Sequence, residues 1–113
     1  MITFTMNNGL IEHAIICDWC RNRLNGQSDG NVLWQMGDTT SKEVTARTPH
    51  GNVTSHAFHV HKACGHAFET TNSGRRYWLW DDIADHMVIV IHNAGIDYQA
   101  ARDHVEGLRR AGL

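Results

Sequence analysis

Cys17-Asp18-Trp19-Cys20, read together with His61-Lys62-Ala63-Cys64, decides how this chain is organised. The first tetrapeptide is a C-x-x-C and the second an H-x-x-C. Between them they use all three cysteines of the 113-residue chain and one of its nine histidines. Three thiolates and one imidazole complete a tetrahedral ligand set for Zn²⁺. Two residues between the cysteines let the backbone turn so that both sulfurs face one ion, with amide N–H groups left to hydrogen-bond the thiolates. Cys17, Cys20, His61 and Cys64 are therefore expected to form a closed, structural zinc site. His61 fits the fourth position best by spacing, and His59 or His66 could replace it. Three buried free cysteines are the competing reading. Iron–sulfur clusters fit less well, since the common ones want four cysteines or the different arrangement of Rieske centres.

The rest of the composition bounds the class. A length of 113 residues suits one domain with one core. At 42% hydrophobic and 19% charged, the chain is globular rather than disordered. A net charge of −2 excludes the overall basic signature of a dedicated DNA binder. An odd cysteine count suits a reduced compartment and a metal site better than a disulfide framework. The first six residues have no basic start and no long apolar run, so no signal peptide is read there. The longest apolar run, 87–91, is far short of a membrane span. The expectation is a soluble, cytoplasmic protein.

Outward from the two ligand pairs, the pattern predicts an α+β domain. Residues 2–6 alternate apolar and polar, Asn7-Asn8-Gly9 is a turn, and 10–16 is again apolar and β-branched, which predicts a hairpin leading into Cys17. After the turn chemistry of 25–31 comes a short strand at 32–36. Residues 42–60 predict a second hairpin around Pro49, with an exposed polar tip. His61 ends that strand and Cys64 opens a short helix to about residue 69, whose N-terminal N–H groups favour a thiolate. Residues 70–76 read as a linker. From there Leu79, Ile83, Met87, Val90 and Ala94 recur at helical spacing, which predicts a helix over 78–93 with Asp81, Asp82 and Asp85 at its start. Gly95 ends it, and Asp97 caps a second helix with Ala101, Val105 and Leu108 on its inner face. The whole is one domain over 1–113, with a β-rich zinc-binding part at 1–76 and a C-terminal helical hairpin at 77–113.

The order of knuckle, hairpin and ligand-bearing helix, carried by Cys17, Cys20, His61 and Cys64 across about residues 14–70, resembles a treble-clef or LIM-like zinc-finger module of small bacterial or phage proteins. The resemblance implies a zinc-stabilised interaction module. The chain departs from a true LIM domain in its spacer, roughly twice as long, and in having no second ligand set after Cys64.

Three functions follow in order. The first is a non-enzymatic module that binds a protein partner, as a regulator or inhibitor does. It rests on the closed ligand set and on the lack of any acid–base pair at usable spacing. The second is a nucleic-acid-binding zinc finger, with Arg21, Arg23, Arg75 and Arg76 as a basic patch and Trp19 and Tyr77 as stacking surfaces. Trp19 is also read as a lid shielding the metal from water. The third is an HNH-like metal-dependent nuclease built on His56, His59, His61 and His66, although no carboxylate accompanies these histidines until Glu69. A homodimer through the C-terminal helices is a further expectation.

Overall fold

The chain opens with β1 (Ile2–Asn7) and β2 (Leu10–Ile15), an antiparallel pair in which Phe4 faces His13. Asn8 and Gly9 join them with φ of 50° and 80°, the double left-handed turn that matches strand twist and that an Asn-Gly dipeptide adopts at low cost. In the computed structural model, which describes residues 1–26, 29–37, 41–73 and 78–112, the protein is mixed α+β, with three helices and several small sheets.

The centre of the first part is β3 (Gly30–Met36). It pairs antiparallel with β7 (Ala57–His61) along one edge and β8 (Leu79–Asp82) along the other, and its far end meets the short β4 (Ser41–Lys42). Gly30 stands opposite His61, where a β-carbon would lie 2.9 Å from Leu24 and 3.2 Å from the Val60 carbonyl oxygen. Only a glycine allows the chain to pass there without displacing its neighbours.

The hairpin expected over 42–60 is divided. β5 (Val44–Thr48) and β6 (Gly51–Ser55) form their own two-stranded sheet, and the chain breaks at His56 before β7 joins β3. The break has a local cause: the Ser55 hydroxyl donates to the Ala57 carbonyl at 2.8 Å and accepts from the Ala57 N–H at 3.3 Å. A side chain that satisfies the backbone in this way competes with the ladder.

α1 (Lys62–Asn72) follows β7 directly and is longer than the stretch 64–69 read from the sequence. Asn72 ties its end to β5, accepting from the Arg47 N–H at 2.7 Å and donating to the Arg47 carbonyl at 3.0 Å. The helix expected over 78–93 begins instead at Ile83, as α2 (Ile83–Asn93), because residues 79–82 are taken into the ladder with β3. Asp81 and Asp82 therefore sit in a strand, and Asp82 accepts from the Lys62 ammonium at 2.7 Å. α2 ends at Gly95, with φ 69° and the Ile96 N–H returning to the Ile91 carbonyl. α3 (Tyr98–Arg110) starts as expected at Asp97, whose carboxylate accepts from the Ala100 N–H at 3.1 Å.

The chain divides into two compact units, Met1–Ile83 and Ala84–Leu113. The first unit holds a core in which Cys17, Leu33, Val44, Ala46, Phe58, Val60 and Phe68 are buried. Phe58, Phe68 and Trp78 meet at 5.1–5.7 Å between centroids, with Trp78 edge-on to both phenylalanines, a favoured aromatic geometry, and the two phenylalanine rings tilted against each other. Among the described residues, no helix is long and apolar enough to cross a membrane.

Candidate metal centre

The first ligand pair lies on a tight reversal after β2. The Cys17 N–H donates to the Asn22 carbonyl and the Arg21 N–H to the Cys17 carbonyl, both at 2.9 Å. Arg21 takes φ 66° to close this turn, a left-handed position that few residues other than glycine adopt. Cys17 is fully buried, and Cys20 is half-buried beside it. Sequence patterning had no signal for Asp18, which joins the knuckle to β7. Its backbone N–H donates to the His59 carbonyl at 2.7 Å, and its buried carboxylate accepts from the His59 N–H at 2.8 Å. This two-point tie places Cys17 and Cys20 against the end of β7.

The second pair comes from the corner between β7 and α1. His61 is the residue before the helix, with φ −58° and ψ 145°, and its side chain makes no capping bond. The imidazole instead faces the knuckle. Cys64 lies in the first turn of α1, where unpaired backbone N–H groups favour negative charge.

The ligand atoms of Cys17, Cys20, His61 and Cys64 all lie within 4.8 Å of one another. The Cys20 sulfur is 3.3 Å from His61 Nδ1. A filled tetrahedral site with metal–sulfur bonds of about 2.3 Å has ligand–ligand edges of about 3.5–3.8 Å. The group thus needs only a small inward movement of its longer edges to hold an ion. Two backbone N–H groups already point at the Cys17 sulfur, from Cys20 at 3.5 Å and from His61 at 3.4 Å.

The outer nitrogen of His61 is engaged as a ligand's should be. Nε2 lies 3.1 Å from the Arg23 carbonyl oxygen and 3.4 Å from the Asp29 carboxylate. With the hydrogen on Nε2, donated outward, Nδ1 is left with its lone pair toward the sulfurs. Asp29 is itself fixed by the Asn25 N–H at 2.8 Å. The sequence reading missed Asp29, which sits in a turn-rich stretch with no pattern to mark it.

The electrostatics favour a cation. Burial, then the negative charge of Cys17 and Cys20, pushes the Cys64 thiol up to about 12. Burial also acts against ionisation of Cys20, yet hydrogen bonds from Asn22, Cys17 and Cys64 outweigh it and lower its pKa. For His61, burial favours the neutral ring. The Cys17 sulfur, the Arg23 carbonyl and the charges of Cys17 and Asp29 overcome this and raise its pKa. Three thiolates cannot share this space without a positive charge among them, which a divalent ion held there would supply.

The other candidate residues lie apart from this group. His59 is on β7 and bonds Asp18 through its backbone, with Nδ1 3.0 Å from the Met1 nitrogen. His66 is exposed on α1, beside a small cleft that Lys62, Glu69 and Trp80 also line. His56 is exposed, 3.7 Å from Glu43. Among the described residues, no second group of three or more His, Cys, Asp or Glu side chains converges to hold a metal ion. Trp19 is partly buried against the core, edge-on to Phe68 at 6.3 Å. The Arg23 guanidinium donates to Glu12 at 2.9 Å. Arg75, Arg76 and Tyr77 lie outside the described residues.

No protein-family model, curated protein or solved structure matches the chain.

Proposed function

We propose that the chain is a zinc-stabilised, treble-clef-like module that acts by binding a protein partner and carries no catalytic centre of its own. The observation that supports it is the convergence of all three cysteines with His61 on one point. Three thiolates and an imidazole are a soft, nitrogen–sulfur donor set of the kind zinc takes in structural sites. Four protein ligands leave no open position for a substrate or an activated water. The run from knuckle to β3, β7 and α1, with the last ligand in the first turn of the helix, supports the treble-clef reading.

Binding is supported by what the fold leaves uncovered. Trp80, Leu79, Val88, Ile89 and Tyr98 are each at least two-fifths exposed. Leu79 and Trp80 in the first unit, and Val88, Ile89 and Tyr98 in the second, are side chains that a partner could cover. Nucleic-acid binding has less support, since of its described arginines Arg23 already pairs with Glu12.

Elemental analysis of the purified chain is expected to find one zinc per chain. Cys64→Ala and Cys17→Ala should lose the zinc and the cooperative thermal transition, because binding free energies of about 10–16 kcal/mol are available from such sites. A Cys64→Ala protein that is metal-free and melts as the parent does would overturn the structural role. For the binding reading, the metal-loaded chain on a support should retain a discrete protein that the chelated chain releases. Retention of nothing but nucleic acid, in a salt-dependent way, would favour the alternative.

A further inference from the structure

β1 reads Ile2-Thr3-Phe4-Thr5-Met6, which is symmetric in character about Phe4. Met1 and Ile16 exchange backbone hydrogen bonds, Ile16 N–H to Met1 carbonyl at 2.7 Å and Met1 nitrogen to Ile16 carbonyl at 2.8 Å. In an antiparallel pair, bonded and non-bonded positions alternate. The residues of β1 that turn their backbone groups toward β2 are therefore Thr3, Thr5 and Asn7. Ile2, Phe4 and Met6 turn theirs to the other edge, and β1 pairs with no other strand among the described residues.

That edge lacks the usual protection. β1 carries no charged side chain and no proline, the devices that keep strand edges from pairing. Its even-numbered side chains are uncovered: Ile2 is 59%, Phe4 63% and Met6 67% exposed. Facing strand β2 is different. The Ile15 carbonyl on its outer side accepts from the Leu24 N–H at 2.8 Å, Ile16 bridges to Arg23, and Arg23 pairs with Glu12. One edge of the hairpin is thus partly occupied, and the other pairs with no strand among the described residues, its Ile2 end bordering a cleft that Val53, Thr54 and Ser55 also line.

We propose that the open edge of β1 pairs antiparallel with β1 of a second copy of this chain, centred on Phe4. Phe4 then faces Phe4 of the other copy, Ile2 faces Met6, and Thr3 faces Thr5. Every pair that faces across the axis is matched in type, which is what an isologous contact requires. The same register sets the outward-turned Ile2, Phe4 and Met6 against outward-turned residues and leaves Thr3 and Thr5 as the non-bonded pairs between them, so about six backbone hydrogen bonds form at once. A slip by one residue would set outward groups against inward ones. No like charges meet at the axis, because β1 has none. An isologous contact through the one edge of β1 unpaired among the described residues uses that edge in both copies and so closes at two. A five-residue edge buries less than the roughly 800 Å² per partner of a standard interface, so the dimer is expected in the micromolar range. The proposal does not depend on the metal reading.

The test uses the full-length chain in sedimentation velocity across a concentration series, with metal content measured in parallel. The parent should pass from monomer to dimer. Phe4→Pro removes an outward N–H without touching the β2 ladder, and Phe4→Lys places a charge at the axis; each should weaken the dimer at least about tenfold with unchanged metal content. For the register, Ile2→Cys mixed with Met6→Cys should cross-link on mild oxidation, whereas neither variant alone should. A parent that stays monomeric at the highest soluble concentration overturns the proposal. So does a Phe4→Pro protein that associates as the parent does, or a dimer lost in Val105→Glu on α3 but kept in Phe4→Pro. A parent that dimerises while holding no zinc would leave this inference standing and defeat the metal reading.

Discussion

Asp18 carries more of the site than its place between two ligand cysteines reveals. Its buried carboxylate holds the His59 N–H while its own N–H holds the His59 carbonyl. Asp18→Ala is expected to cost about 1–3 kcal/mol, since it strands a buried donor, and to weaken metal retention against a chelator. Asp18→Asn keeps an acceptor oxygen and should lie between the two. Chemical denaturation of the three metal-loaded proteins checks the order. At this scale the convergence of Cys17, Cys20, His61 and Cys64 was legible, because C-x-x-C and H-x-x-C have the spacing that one ion would need. Asp18 and Asp29 were not legible. Their partners, His59 and His61, are brought to them by the fold and not by any local spacing.

At the scale of elements, local signals were readable where their partners are local. The Asn8-Gly9 turn, the Asp97 cap and the Gly95 stop each act within a few residues, and each is found where the pattern put it. β8 was misread as the first turn of a helix. Leu79 does continue the helical spacing of α2, but its backbone is claimed by Trp34, 45 residues upstream. A pairing over that separation leaves no trace in a local period. The break at His56 was hidden for a different reason: the Ser55 hydroxyl, not the hydrophobic pattern, ends the strand. Within α3, Gly107 has open space where a β-carbon would go. Gly107→Ala should therefore stabilise the helix by about 0.5–1 kcal/mol. Amide exchange of residues 98–110 should slow accordingly, and unchanged exchange would mean that opening of α3 does not run through its helix–coil equilibrium.

For the whole molecule, a metal ion held by these four side chains would close a loop of forty residues between Cys20 and His61 and join a core that already contains Cys17. The sequence foretold the convergence of these four side chains and the mixed α+β class, but not the sheet order around β3, which depends on the long-range partners of that strand. Metal-free and metal-loaded protein should respond to pH with opposite signs. His61 has a raised pKa in the fold. Its contribution to the metal-free state is full below about pH 6.5 and is lost as pH rises through the raised value. The loaded state must first shed protons from His61 and the thiols, so it gains stability as pH rises over the same range. Thermal melts of both forms from about pH 6.5 upward would separate these slopes, and parallel slopes would contradict the ligand role of His61.

The four ligands are not equally placed. Cys17 is sealed within the core, while Cys20, His61 and Cys64 retain contact with solvent. A chelator would reach an ion held there only from that side. Release is then stepwise and associative: the outer ligands are displaced one at a time while Cys17 keeps its hold. The exchange rate should rise with chelator concentration and fall with chelator bulk. A metal ion held in this way would be kept through dilution and given up to a small, strong acceptor.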